Sequence, residues 1–353
     1  MPSTTETLYR SAVLPHPKAH PIVLTSSPIP APTGNEILIR VRAVAINPAD
    51  YAVQKLGIVI KPEFYPYVNG NDVSGQVVSV GPDQVRFKPG DRVVGHAMAW
   101  QKGDNKYGAF QEYSIMVEPM VAKIPDRIPF KEAAVLPLGL TTSSAMLFSP
   151  TLMGLDLPMA GTEMNFKGKV VVVWGGSSSV GSNAIQTVKA AGYIVAATAS
   201  EHNHELLREM NVDYLFDYTK DGITEEIITT LSGVGDLAGV YCAVYSDTAI
   251  TACATIADRL PGKKCMGTIL PPGLPVPGEI PDGVQVLIND HVLLGSTEAG
   301  KRLWVDWLPG ALEDGTMKCM PHPEVVWKGL EDIQSAVDLI GKGVSGKKLV
   351  VEL

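Results

Sequence analysis

Four consecutive valines, Val170–Val173, run into the stretch "WGGSSSVGSNAIQ" (Trp174–Gln186). A β-branched run followed by glycines and then a helical pattern is the setting for a phosphate-binding turn. Gly175 and Gly176 permit positive φ and close backbone approach. Gly181 falls where a helix packs tightly on its strand. The N–H groups of Ser177, Ser178, Ser179 and Val180 would then face a pyrophosphate at a helix N-terminus.

A second position decides which dinucleotide fits. In an NAD site an acidic residue about 20 residues past the turn binds the ribose 2′-OH. Here the second strand ends "AATAS" at Ser200, followed by Glu201, His202 and Asn203. Hydroxyls can donate to a 2′-phosphate, which a carboxylate would repel. No Arg or Lys stands beside Ser200, so the expected grip is made of hydroxyls, with Glu201 free to point away. These residues predict NADP(H). Ser200 can also cap the following helix, and the two roles can coexist.

The surroundings set bounds on function. The chain has 353 residues, 45% hydrophobic and 19% charged, and a net charge of −8. With a mean hydropathy of +0.12, it reads as about two globular domains. Both charge signs are mixed along it, with no basic stripe, so nucleic acid is not expected as a partner. No segment reaches the ~18 apolar residues of a membrane span, and the N-terminus does not read as a signal peptide. Cys242, Cys253, Cys265 and Cys319 show no CxxC spacing. They read as reduced thiols, and the expected location is the cytoplasm.

The first ~130 residues are short strands and turns, among them Ile37–Ile46, Asp72–Gly81, Asp91–Ala97 and Phe110–Val117. They suggest a β-barrel-like domain. Phe130–Phe148 looks helical with a Pro-Leu-Gly interruption. Strand and helix then alternate from Val170 to Leu270, as in a doubly wound parallel sheet. A proline-rich loop, Pro271–Asp282, follows at a strand's carboxyl end. Val292–Ser296 reads as a last strand, "KRLWVDWLPGAL" and "LEDIQSAVDLIGKG" as amphipathic helices, and "KKLVVEL" as a closing strand.

These stretches converge. "AVAINPADY", "GNDVSGQVVSVG", "FKPGDRVVG", "GAFQEYSIM", "AAVLPLGLTT", "GGSSSVG" and "GKKLVVEL" make the chain resemble the medium-chain dehydrogenase/reductases along nearly its full length. Within them, "ATASEHN" and "LFDY" make it most similar to fungal trans-acting enoyl reductases and quinone oxidoreductase-like proteins. The resemblance implies an α/β chain: a GroES-like β-barrel catalytic domain of residues 1–130 and 299–353, and a Rossmann domain of 131–298. It implies an active site in the cleft between them. Tyr218 would join the adenosine-phosphate end. Ala49, Asp50, Thr142, Leu270 and Val344 would line the nicotinamide end, and Asn47, Leu293 and Leu294 the substrate.

Zinc-dependent members of that superfamily need a thiolate near position 47 and an imidazole near 71. This chain has Asn47 and Asn71 there. Amides do not substitute in tetrahedral zinc sites, so no metal is expected. Without a Lewis acid, carbonyl reduction loses its usual electrophile. The reading tilts to NADPH-dependent reduction of an activated C=C bond, in polyketide-type secondary metabolism.

The match fails at Ala52, where the trans-acting reductases place Lys and related quinone reductases Tyr. Tyr51, Lys55, Tyr65, Tyr67 or water must then donate the proton, and Thr142 would lie near the substrate carbonyl. His96 and Trp100 border a loop, and Lys102–Lys106 reads as solvated surface. Two alternatives stay open: a cofactor-bound biosynthetic or scaffold protein without redox turnover, and a zinc-free carbonyl reductase or alcohol dehydrogenase. The expected partners are a small or acyl-carrier-bound unsaturated substrate and a polyketide synthase. The expected assembly is a monomer or homodimer.

Overall fold

The computed structural model describes residues 7–57, 59–159, 168–290 and 293–353. In chain order its strands are β1 (Leu8–Leu14), β2 (Val23–Pro28), β3 (Ile37–Ala45), β4 (Tyr67–Val68), β5 (Asp72–Val80), β6 (Arg92–His96), β7 (Tyr113–Met116) and β8 (Val121–Lys123). Then come β9 (Lys169–Trp174), β10 (Ile194–Ala199), β11 (Tyr214–Asp217), β12 (Asp236–Cys242), β13 (Cys265–Thr268) and β14 (Gln285–Leu287). The last two are β15 (Pro323–Lys328) and β16 (Lys348–Glu352).

By its internal contacts the chain forms two units, Met1–Leu138 with His322–Leu353, and Gly139–Pro321. In the first, strands pair in the order β15-β16-β3-β5-β6-β8, with β7 added on β3. A smaller sheet runs β2-β1-β4. Alternation in β3 turns Ile37, Ile39 and Val41 into one core with Val73, Phe110 and Val351, while Arg40 and Arg42 face out. This is the GroES-like, barrel-type arrangement, and the helix Pro48–Leu56 leaves it directly after β3.

The second unit is a six-stranded parallel sheet in the order β11-β10-β9-β12-β13-β14. That is the doubly wound Rossmann order, with its switch point between β9 and β12, the first and fourth strands. β9 is buried along Val170–Trp174, as a strand covered on both faces must be. The helices Ser179–Ala190, Ile223–Leu231 and Asp247–Arg259 alternate with the strands.

Several sequence expectations are corrected. The break in Phe130–Phe148 falls before Pro137, which opens the helix Pro137–Phe148 because proline suits a first helical turn. Leu294–Ser296 is a 3₁₀ turn rather than a strand, and Val292 lies outside the described residues. "KRLWVDWLPGAL" forms a π-helical turn, Arg302–Trp307, before the helix Leu308–Asp314. Residues 299–321 pack with the second unit, where the resemblance put them in the first. Gln186 explains part of this: its amide bonds both the carbonyl and the N–H of Lys318. Among the described residues no helix is long and apolar enough to cross a membrane.

Candidate functional site

In the second unit, the turn after β9 places Gly175 at φ +83°. A Cβ on Gly181 would lie 2.3 Å from the Gly175 carbonyl oxygen, and one on Gly176 would lie 2.8 Å from Ile185 Cδ1. Neither position has room for a side chain. The turn therefore brings its backbone close to the start of the helix Ser179–Ala190, whose first-turn N–H groups lack intrahelical acceptors. Ser178 has a local role. Its Oγ accepts from Gly181 N–H at 3.0 Å and donates to the Gly175 carbonyl at 2.8 Å, so its hydroxyl caps the helix. Its backbone is also held locally, N–H on the Gly175 carbonyl at 3.1 Å and C=O accepting from Ser182 N–H at 2.8 Å.

Beside the turn, at the carboxyl end of β10, four polar side chains meet. Asn203 Nδ2 lies 3.3 Å from both Ser177 Oγ and Ser200 Oγ, and Ser200 Oγ lies 3.3 Å from His202 Nε2. Ser200 occupies the N-cap position of the turn Glu201–Asn203, but its side chain makes no cap bond. A cavity of about 630 Å³ opens here, lined by Ser200, Glu201, His202, Asp217, Tyr218 and Thr219. Tyr218 is 43% exposed and stands 6.4 Å from the Trp174 ring. Asp217 contributes a carboxylate that the sequence reading did not include. The backbone N–H of Thr219 holds it below its usual pKa, and the Thr219 hydroxyl also bonds it. Glu201 is exposed at the rim.

The Rossmann unit thus gathers Gly176, Ser177, Ser178, Ser179, Val180, Gly181, Ser200, His202, Asn203 and Tyr218 around one strand-end region. Elsewhere in this unit, Thr142 is partly exposed and its hydroxyl has no hydrogen-bond partner among the described residues; the neighbouring Ser143 donates to the Gly139 carbonyl. Leu270 is buried just past β13, Leu294 is buried, and Leu293 is 53% exposed.

The first unit holds the other candidates. Asn47 is the N-cap of the helix Pro48–Leu56. Its backbone N–H donates to Asp50 Oδ2 at 2.8 Å, and Asn71 Nδ2 donates to Asp50 Oδ1 at 3.0 Å. Both ends of the Asn47 amide are engaged: Nδ2 donates to Asp72 Oδ2 at 3.0 Å, and Oδ1 accepts from the Lys348 ammonium. Lys348 also pairs with Asp72 at 2.8 Å while only 3% exposed. Burial pushes the Asp50 carboxyl up to about 7, against the stabilising bond from Asn47 N–H. Burial takes the His96 imidazole down to about 4, partly offset by Asp72.

Ala49 is exposed on the outer side of that helix, and Lys55 is exposed in its last turn. The Tyr51 ring packs against Gly341, where a Cβ would sit 2.5 Å from Tyr51 Cε2, and both Tyr51 and Val344 border the barrel core. Tyr67 is buried, and burial followed by the nearby Asp50 raises its phenol pKa. Lys348 is the residue that sequence reasoning missed. The one signal for it was a lysine at the head of an apolar closing strand.

A family model for the alcohol dehydrogenase GroES-like domain matches residues 33–126. The chain is 36% identical over 349 residues to the dehydrogenase azaJ of Aspergillus niger, covering 97% of this chain and 98% of that one. The chain belongs to the medium-chain dehydrogenase/reductases. Also similar is the trans-enoyl reductase himH of Aspergillus japonicus, 36% identical over 323 residues and 90% of each chain. An alcohol dehydrogenase superfamily protein from Novosphingobium aromaticivorans superposes with a TM-score of 0.74 at 20% identity, over 98% of this chain and 99% of that one. As a medium-chain dehydrogenase/reductase the protein is an oxidoreductase whose cofactor class is a nicotinamide dinucleotide. The glycine cradle and the polar cluster of its Rossmann unit fit such a molecule. A tetrahedral zinc does not fit Asn47 and Asn71, whose amides are committed to Asp72, Lys348 and Asp50. No group of three His, Cys, Asp or Glu among the described residues could hold a metal.

Proposed function

We propose that the protein is an NADPH-dependent, zinc-independent enoyl reductase. The observation that carries this reading is the state of positions 47 and 71. Two amides tied into an internal network stand where a metal-assisted alcohol dehydrogenase needs ligands. The relatives described as trans-enoyl reductases support it. Bound NADPH supplies a hydride to the β-carbon of an α,β-unsaturated acyl or carbonyl compound. Ser177, Ser200, His202 and Asn203 bind the 2′-phosphate through hydroxyl, imidazole and amide donors. The backbone N–H groups of Ser177, Ser179 and Val180 bind the pyrophosphate, those of Ser178 and Gly181 being held within the turn.

Thr142, with its uncommitted hydroxyl, donates to the substrate carbonyl. With Ala52 where the family has Lys or Tyr, the α-carbon takes its proton from solvent or from Tyr51 or Lys55. The natural substrate is carried on an acyl carrier or a small enone from fungal polyketide-type metabolism. A polyketide synthase is the partner, and the protein is cytoplasmic, as its four free thiols suit. The test is NADPH oxidation against a panel of enoyl thioesters, enones, quinones and aldehydes, with product analysis. Saturated carbonyl products are expected. Alcohol products, or tight NADPH binding with no turnover on any of them, would overturn the reading.

A further inference from the structure

Lys348 and Asn47 lie 301 positions apart. The sheet brings them together, because β16 runs antiparallel to β3 and Ile46 N–H donates to the Leu349 carbonyl at 2.9 Å. On the other side of β3, β5 opens with Asp72, in register with Ala45 and with His96 of β6. Three adjacent strand ends thus deliver an ammonium, an amide and a carboxylate to one buried point. Asp72 is 0% exposed, and its other oxygen accepts from Leu138 N–H at 2.6 Å. The groups facing the cluster are Asp50, held by Asn47 and Asn71, and the buried His96, with Tyr67 near Asp50. A buried ammonium costs several kcal/mol in desolvation unless it is paired and hydrogen-bonded. Here it meets a carboxylate and an amide oxygen.

We propose that Lys348 is a positioning residue: its ammonium, seated on Asp72, fixes the Asn47 amide and with it the first turn of the helix that carries Asp50 and Tyr51. The bearing on catalysis rests on the enoyl reductase reading; the bearing on local order does not.

The test pairs Lys348→Met with Asp72→Asn, so that neither charge is left buried alone. The readouts are hydrogen exchange of the segment 47–56, NADPH affinity and the steady-state constants. We expect exchange in that segment to rise by about tenfold or more, kcat to fall by about tenfold or more, and NADPH affinity to change by less than about threefold, because the residues assigned to the nucleotide's phosphates lie in the second unit. Exchange and kcat both within about twofold of wild type would overturn the proposal, leaving Lys348 as a counter-ion for Asp72 alone. A rise in exchange with kcat unchanged would also overturn its bearing on the reaction. If the double variant does not fold, the wild-type protein decides by NMR. A nuclear Overhauser contact between the Asn47 amide and the Lys348 ε-methylene is expected, and its absence overturns the proposal. A wild-type protein without turnover would fail the enoyl reductase reading, while the exchange measurement would still judge the positioning.

Discussion

Replacing Ser200 by aspartate sets a carboxylate into the polar cluster at the end of β10. Ser200 is 7% exposed, and its Oγ lies 3.3 Å from His202 Nε2 and from Asn203 Nδ2. A carboxylate in that position would be desolvated on one side and open to the cavity on the other. Two like charges about 5 Å apart at an effective dielectric of about 20 repel by about 3 kcal/mol. Since about 1.4 kcal/mol is tenfold in affinity, the NADPH dissociation constant should rise by about 100-fold. NADH lacks the 2′-phosphate and offers a ribose hydroxyl that the new carboxylate can accept from, so its affinity should hold or improve. Fluorescence titration or calorimetry with both nucleotides at fixed salt reads the two constants. Ser200→Ala separates a lost hydroxyl from an added charge. NADPH affinity unchanged within about threefold in Ser200→Asp would refute the assignment of this cluster to the 2′-phosphate.

Two further variants test the framework. The buried Asp50 carboxyl is raised from 3.8 to about 7, so the folded state holds its proton more tightly than the unfolded chain. That stabilisation is complete below about pH 4 and is lost as pH rises through about 7, with an upper bound of about 4 kcal/mol. Asp50→Asn should therefore gain stability relative to wild type between pH 5 and pH 8, read as urea midpoints at each pH. A difference that does not change with pH removes the claim. His96, lowered to about 4, contributes with the opposite sign as pH falls below its ordinary value of 6.5, so the comparison is made against wild type at each pH. Gly181→Ala sets a Cβ 2.3 Å from the Gly175 oxygen. It should cost about 1–3 kcal/mol of stability and abolish nucleotide binding. A variant that melts and binds like wild type would show the turn to be looser than its geometry.

The local parts of this protein were legible as sequence. A tight strand–helix turn is a run of neighbours, so Gly175, Gly176 and Gly181 declare it within seven residues. The strand–helix alternation that encloses it has a period of its own. Ser200 stood out because its distance from the turn is set by one βαβ unit. Asn47 and Asn71 stood out by residue type alone, because amides are poor ligands for a tetrahedral zinc. The role of the Ser178 hydroxyl was not legible: a serine at the mouth of a helix can face a ligand or cap the helix, and the hydrogen-bond geometry makes it the cap.

What depends on partners hundreds of residues away was not legible. Residues 299–321 joined the Rossmann unit, partly through the bonds between Gln186 and Lys318, which leave no local pattern. Asp217 entered the cavity beside Ser200 because β11 ends beside β10. Lys348 reads in sequence as one polar residue at the head of a closing strand. Sheet pairing makes it the buried partner of Asn47 and Asp72, because the register of β16 on β3 and of β3 on β5 is fixed by the alternation of apolar side chains along whole strands. The sequence alone determined which residue types were available for chemistry and where the glycine-rich strand–helix turn lay. The tertiary structure decided which charge sits against which, because burial and long-range pairing set electrostatic strength and neither is a property of neighbouring residues.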